Sequence, residues 1–195
     1  MVNVSYDEER DAVDLVTNCM FSLDFLKSIT DVIFSEHRDK ITVGDFYDEW
    51  LRASGANEYK IPFNPGAIVA YLYCGLVLTK ELWDDLVPDE PVGAVAADWS
   101  LANITFSVPR EHNPSARYLL RRIRNSLGHG KIRVIVPKGI SDKSQIMQRV
   151  SVRFHDDNPG DPSDVFDAEA TLETLTQVIK KFHREVHRYV REKKV

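Results

Sequence analysis

Hydrophobic positions along this chain recur mostly at three- and four-residue steps, the spacing that gathers side chains on one face of a helix. Over about residues 6–37, Ala12, Val16, Cys19, Leu23, Leu26 and Ile33 keep that spacing and predict one long helix with a shared apolar face. A shorter helix over 42–51 carries Phe46 and Trp50, and 54–63 reads as a loop. Asn64-Pro65 then supplies an N-cap and a first-turn proline. The helix they open is expected to reach about residue 86, where Pro88, Asp89, Glu90 and Pro91 stop it. Residues 92–106 predict a further helix of mixed character, and the prolines of 109–114 break the chain again.

Pro114 opens the next amphipathic helix, with Ala116, Leu119, Leu120, Ile123 and Leu127 on its apolar face. After Gly130 the period changes. Ile132, Val134 and Val136 alternate with Arg133 and Ile135, and in 148–155 Val150, Val152 and Phe154 share one face. Both runs are strand-like and flank a loop at 137–143, so they predict a β-hairpin. Asn158-Pro159-Gly160-Asp161-Pro162 is a turn. A last helix over about 167–191 buries Leu172, Leu175, Ile179, Phe182, Val186 and Tyr189. The pattern predicts a mainly α protein: a helical bundle with a small added hairpin and no internal repeat.

Composition narrows the picture. A chain of 195 residues suits one domain, and a fold of this size buries roughly 70% of its unfolded surface without needing disulfides or a structural metal. The formal net charge of −5 excludes whole-molecule attraction to nucleic acid, so any such site must be a local basic patch. The two cysteines, Cys19 and Cys74, lie in apolar helical patterns and read as buried thiols of a reducing compartment. The N-terminus is acidic at Asp7, Glu8 and Glu9 and carries no signal pattern. The most apolar run, 66–78, is shorter than the ~20 residues a membrane helix takes. The expectation is a soluble cytoplasmic protein without a membrane partner.

The chemistry concentrates in Arg121-Arg122-Ile123-Arg124-Asn125-Ser126-Leu127-Gly128-His129-Gly130. Arg117, Arg121 and Arg124 follow an i, i+4, i+7 pattern along one helix flank, Arg122, Lys131 and Arg133 add charge, and no acidic residue occurs from 113 to 136. Like charges at i, i+4 repel by a few tenths of a kcal/mol per pair, which a polyanion would relieve. His129 lies between glycines at the expected helix end, where Gly128 or Gly130 takes the left-handed cap conformation. A guanidinium grips two phosphate oxygens and an imidazole moves protons. In RNA the 2′-hydroxyl supplies the nucleophile, so this chemistry needs no metal. The structural alternative is ordinary helix capping, since arginines in a last turn complement the helix dipole.

Arg124-Asn125-Ser126-Leu127-Gly128-His129 resembles the signature of the HEPN superfamily: arginine, a polar residue, then histidine after a short spacer. The resemblance implies one HEPN-like domain over 1–195 with a hairpin insertion at about 131–156. It implies a metal-independent endoribonuclease without cofactor, acting as a toxin or phage-defence effector. Arg124 and His129 would be catalytic, with Asn125 as the supporting polar residue. Arg117, Arg121, Lys131 and Arg133 would guide RNA. The implied partners are RNA, a second copy completing a composite active site, and an antitoxin protein. The alternative is a non-catalytic HEPN-like module that binds RNA, a nucleotide or a partner protein, which the hairpin slightly favours.

Other constellations compete weakly. His183 and His187 stand at i, i+4 as a zinc pair would, but Arg184 occupies the glutamate position of the protease form and no third ligand follows. His155-Asp156-Asp157 ends a strand before a turn, where acids are ordinary. Gly128-His129-Gly130-Lys131 lacks the spacing of a phosphate loop. Trp50, Trp83 and Trp99 read as core rather than base-stacking residues.

Overall fold

The computed structural model describes residues 8–55, 62, 64–77, 84–108, 113–138 and 145–192. Helix α1 spans Glu8–Ile33, and a 3-10 turn at Arg38–Lys40 leads to α2, Val43–Ala53. Helix α3, Pro65–Leu72, continues into a wider π turn at Tyr73–Val77. A 3-10 turn at Asp84–Leu86, the single-turn α4 at Val92–Val95 and strand β1, Thr105–Ser107, follow. Helix α5, Ala116–Gly128, carries the arginine–histidine segment. Beyond it come β2 (Ile132–Ile135), the single-turn α6 (Ile146–Arg149), β3 (Ser151–Asn158), β4 (Asp161–Thr171) and α7 (Leu172–Glu192).

Local chemistry sets several of these boundaries. Thr42 accepts a hydrogen bond from the Asp45 N–H and caps α2. Asn64 accepts from the Ala67 N–H at the start of α3, with Pro65 in the first turn. Asn64 also donates to the Asn18 carbonyl and to Ser22 Oγ, fastening α3 to α1. There the helices approach so closely that a Cβ on Gly66 would lie 2.6 Å from backbone atoms of Leu15 and Cys19.

The core lies between α3, α5, α7 and the inner face of the sheet. Ile68, Leu72, Leu119, Ile123, Val152, Phe154, Phe166, Leu172, Leu175 and Val178 are all essentially buried. Burying an aliphatic or phenyl side chain contributes about 1.5–3 kcal/mol. The predicted apolar face of α5 is therefore a firm anchor, with Ala116, Leu119, Leu120, Ile123 and Leu127 all buried. Trp50 and Trp99 are buried as expected, while Trp83 lies outside the described residues.

Several expectations need correction. The hairpin is half of a four-stranded antiparallel sheet ordered β1-β4-β3-β2. Strands β2 and β3 do pair, Ile132 opposite Phe154 and Val134 opposite Val152. Strand β4 takes the ground assigned to the start of the last helix, which begins at Leu172 instead of about 167. Its Asp, Ala and Glu residues disfavour strand intrinsically, and pairing with β3 overrides them. The predicted helix over 92–106 is one turn and then β1, because Thr105 and Phe106 pair with Glu169 and Ala168 far along the chain. The expected helix from Pro65 to about 86 is regular only to Leu72; residues 78–83 and the 139–144 part of the hairpin loop lie outside the described residues.

The shared stripe of α1 is the largest reversal. Val16, Leu23, Leu26 and Ile33 are 50–63% exposed. The helix instead packs through Leu15, Ser22, Phe21 and Phe25, the last two edge-on to Trp50 of α2. Trp50 Nε1 donates to Asp24 at 2.8 Å, which fixes that pairing. Cys19 is half-buried and Cys74, on the π turn, is exposed, so neither is the buried thiol expected. Among the described residues no helix is long and apolar enough to cross a membrane.

Candidate functional site

Helix α5 starts on a clamp. Ser115 accepts from the Tyr118 N–H and donates to Asp89, and the Ala116 and Arg117 N–H groups bond the carbonyls of Glu90 and Pro88. The Arg117 side chain extends this clamp. Its Nε donates to the Val87 carbonyl at 3.0 Å, and its guanidinium lies 3.4 Å from the Asp85 carboxylate.

The far end of α5 closes in a Schellman turn. Lys131 N–H bonds the Ser126 carbonyl, Gly130 N–H bonds that of Leu127, and Gly130 has φ +70°. Of the two candidate glycines, Gly130 is thus the left-handed one. This turn leaves His129 exposed at the helix end and feeds the chain into β2. Gly130→Ala should cost about 1–2 kcal/mol, the usual penalty for a Cβ in that conformation. Gly128→Ala, in open space at the end of a helix, should be neutral or stabilise by up to about 0.5–1 kcal/mol. Thermal unfolding of the two variants side by side checks this.

Period-2 alternation along β3 places Val152, Phe154 and then Asp156 on the face that packs against α5. Asp156 is only 4% exposed. Three residues of α5 and its cap reach it from positions i, i+3 and i+7. Arg122 Nε sits 2.6 Å from Asp156 Oδ2, off the line of its N–H, so this contact is an ion pair rather than an aligned hydrogen bond. Asn125 Nδ2 donates to the same oxygen at 3.3 Å. His129 Nδ1 lies 3.8 Å from Asp156 Oδ1, with the imidazole side chain 61% exposed.

Arg122 itself is buried, between the rings of Tyr118 and Phe166. It donates to Asp164 Oδ1 at 2.7 Å and to the Asp156 carbonyl at 3.0 Å. Burial works against its charge, but the Asp164 hydrogen bond and the Asp156 carboxylate outweigh it and hold the guanidinium above its ordinary pKa. Arg122 is thus the structural arginine of the cluster. Arg124 is half-buried and Arg121 exposed on the same helix. Arg133, half-buried on β2, stands opposite Arg153.

The stretch without acids in sequence has acids in space. Lys131 pairs with Asp157, whose carboxyl the lysine hydrogen bond draws below its ordinary range. This pair therefore contributes at neutral pH and is lost as acid protonates Asp157. Arg117 meets Asp85, and Arg122 meets Asp156 and Asp164. Of the residues expected to guide RNA, Arg117 and Lys131 are engaged internally, so the site is less basic than the sequence predicts.

Arg124, Asn125 and His129 thus share one helix end in a mainly helical chain. A family model described as HEPN pEK499 p136 matches residues 5–193. The chain belongs to this HEPN family. No curated protein and no solved structure matches it. Within this HEPN protein, Asp156 joins the candidate site without being singled out for it by the sequence pattern. The signal was present: Asp156 continues the Val150, Val152, Phe154 alternation and is a lone carboxylate on an apolar strand face. The neighbouring His155 lies 3.3 Å from Asp167. Among the described residues no three His, Cys, Asp or Glu side chains gather to hold a metal ion.

Proposed function

We propose that this HEPN protein is a metal-independent endoribonuclease, with Arg124 and His129 as its catalytic residues. The observation that carries the reading is the convergence of Asn125 and His129 on the buried carboxylate of Asp156, which leaves the imidazole open to solvent. The Asp156 carboxylate, 3.8 Å from Nδ1, attracts a proton toward that nitrogen and leaves Nε2 to serve a substrate. Arg124 binds the scissile phosphate and steadies the charge that builds on it. The RNA 2′-oxygen attacks phosphorus, its proton passing to the His129 imidazole. The bond to the 5′-oxygen breaks as that oxygen takes a proton, and His129 serves in this transfer. The products are a 2′,3′-cyclic phosphate and a 5′-hydroxyl.

One arginine and one histidine make a sparse site, so the reading includes a homodimer whose two sites meet. The exposed apolar residues of α1, with Val13 and Met20 beside the stripe already named, support such an interface. Helix α1 also touches β2, next to the motif end. A toxin or phage-defence effector held in check by a partner protein is the biological setting that fits. The test is incubation with single-stranded RNA and with DNA of the same sequence in excess chelator. RNA should be cut and DNA, without a 2′-hydroxyl, left whole.

A second reading is a non-catalytic module that binds RNA, a nucleotide or a protein. The internal neutralisation of Arg117, Arg122 and Lys131 favours it. Salt-sensitive RNA binding without any cleavage supports this reading over the first.

A further inference from the structure

We propose that the outward face of α7 is a binding site for single-stranded RNA, separate from the motif. Lys180, His183, Arg184, His187, Arg188 and Arg191 recur at i, i+3, i+4, i+7, i+8 and i+11, and all six are exposed. They form one stripe about 16 Å long. Acids are nearly absent from it. Glu185 turns inward, is 9% exposed, and pairs with Lys181 and Arg188. Glu192 lies only at the far end. Lys180, Arg184 and Arg191 have no ion pair among the described residues. The repulsion between Lys180 and Arg184, one turn apart, is therefore not relieved by an acid among the described residues.

Helix-dipole complementation does not account for the stripe, because that effect fades within the last turn and Lys180 lies three turns before the end of α7. The stripe is also grooved. A hollow of about 280 Å³ is lined by Tyr71, Gln177, Lys180, His183 and Arg184, and one of about 480 Å³ by residues from Arg184 to Glu192. Tyr71 is 52% exposed there, and the rings of His183 and His187 stand 4.4 Å apart. Cations beside exposed rings suit a single strand, whose phosphates and unstacked bases need both. A lipid surface fits less well. The apolar side of α7 (Leu172, Leu175, Val178, Ile179, Phe182) lies in the core, and Val190 is the one large aliphatic side chain of this helix that is exposed among the described residues, which leaves little to insert.

Binding is measured by fluorescence anisotropy with a labelled 2′-O-methyl oligouridine of about twelve nucleotides, which has no free 2′-hydroxyl and cannot be cut, so the result does not depend on catalysis. The wild type should bind, with affinity falling steeply as salt rises. Combined Lys180→Glu, Arg184→Glu and Arg191→Glu should weaken binding at least about tenfold and flatten the log–log salt slope by about 2, at roughly 0.7 for each phosphate no longer neutralised. Tyr71→Ala should weaken binding at least about fivefold by removing a stacking platform. Unchanged thermal unfolding of these surface variants shows that the fold is intact. No binding by the wild type, or a triple variant with wild-type affinity and slope, overturns the proposal. So does loss of binding to phosphatidylserine vesicles with RNA binding unchanged, which would make the face a membrane contact.

Discussion

Asp156→Ala should destabilise the protein by about 3 kcal/mol or more, read from urea unfolding, because removing one partner of a buried ion pair leaves the other charge uncompensated. Asp164 still holds Arg122 at 2.7 Å, which keeps the cost toward the lower end of the usual 3–5 kcal/mol range. The double variant Arg122→Met with Asp156→Leu separates two roles of this carboxylate. Replacing a buried pair by apolar side chains is often neutral or stabilising, so stability should largely return. RNA cleavage should not return, because His129 and Asn125 would still lack the group that orients them. The ¹⁵N shifts of the His129 ring give a readout independent of activity. The Nδ1-protonated form should dominate in the wild type and lose its dominance in the double variant. A double variant with full cleavage and an unchanged ring signature would leave Asp156 a purely structural role.

Substitution of the motif itself should have the largest effect on turnover. His129→Ala is expected to lower the cleavage rate by about 10²–10⁴, the usual worth of a positioned proton-transfer group. Arg124→Ala should cost about 10²–10³, as loss of one charged group aimed at a developing oxyanion does. Arg124→Lys should recover little, since an ammonium cannot reproduce a two-pronged grip on phosphate. The double variant should be little worse than His129→Ala alone, because groups acting on one transition state are not additive. The His129 side chain is 61% exposed, so His129→Ala should unfold like the wild type. Single-turnover rates with a labelled RNA, set beside thermal unfolding curves, check both statements.

The helices were legible where side-chain periodicity and end chemistry agree. Asn64-Pro65 marks the start of α3, and the apolar face of α5 is buried as its spacing predicts. Elements defined by partners distant in sequence were not legible. Strand β4 is rich in Ala and Asp and exists because β3 and β1 pair with it. The apolar stripe of α1 reads like a core face, yet the packed side is set by Gly66, Asn64 and Trp50, which arrive from other elements. The candidate site divides in the same way. Arg124, Asn125 and His129 share one helix end and one short motif, whereas Asp156 reaches them only through sheet register. Charge misled for a related reason: the acid-free stretch of α5 and β2 is neutralised by Asp85, Asp156, Asp157 and Asp164 from other segments.

In the proposed reaction, the imidazole and guanidinium of this helix end cut RNA using its own 2′-oxygen. The most direct measurement is the chemistry of the fragment ends after digestion in excess chelator, wild type beside His129→Ala. The wild type should leave 2′,3′-cyclic phosphate and 5′-hydroxyl ends, and the variant should leave the RNA intact. Intact RNA from both, or fragments that bear 5′-phosphates, would contradict it.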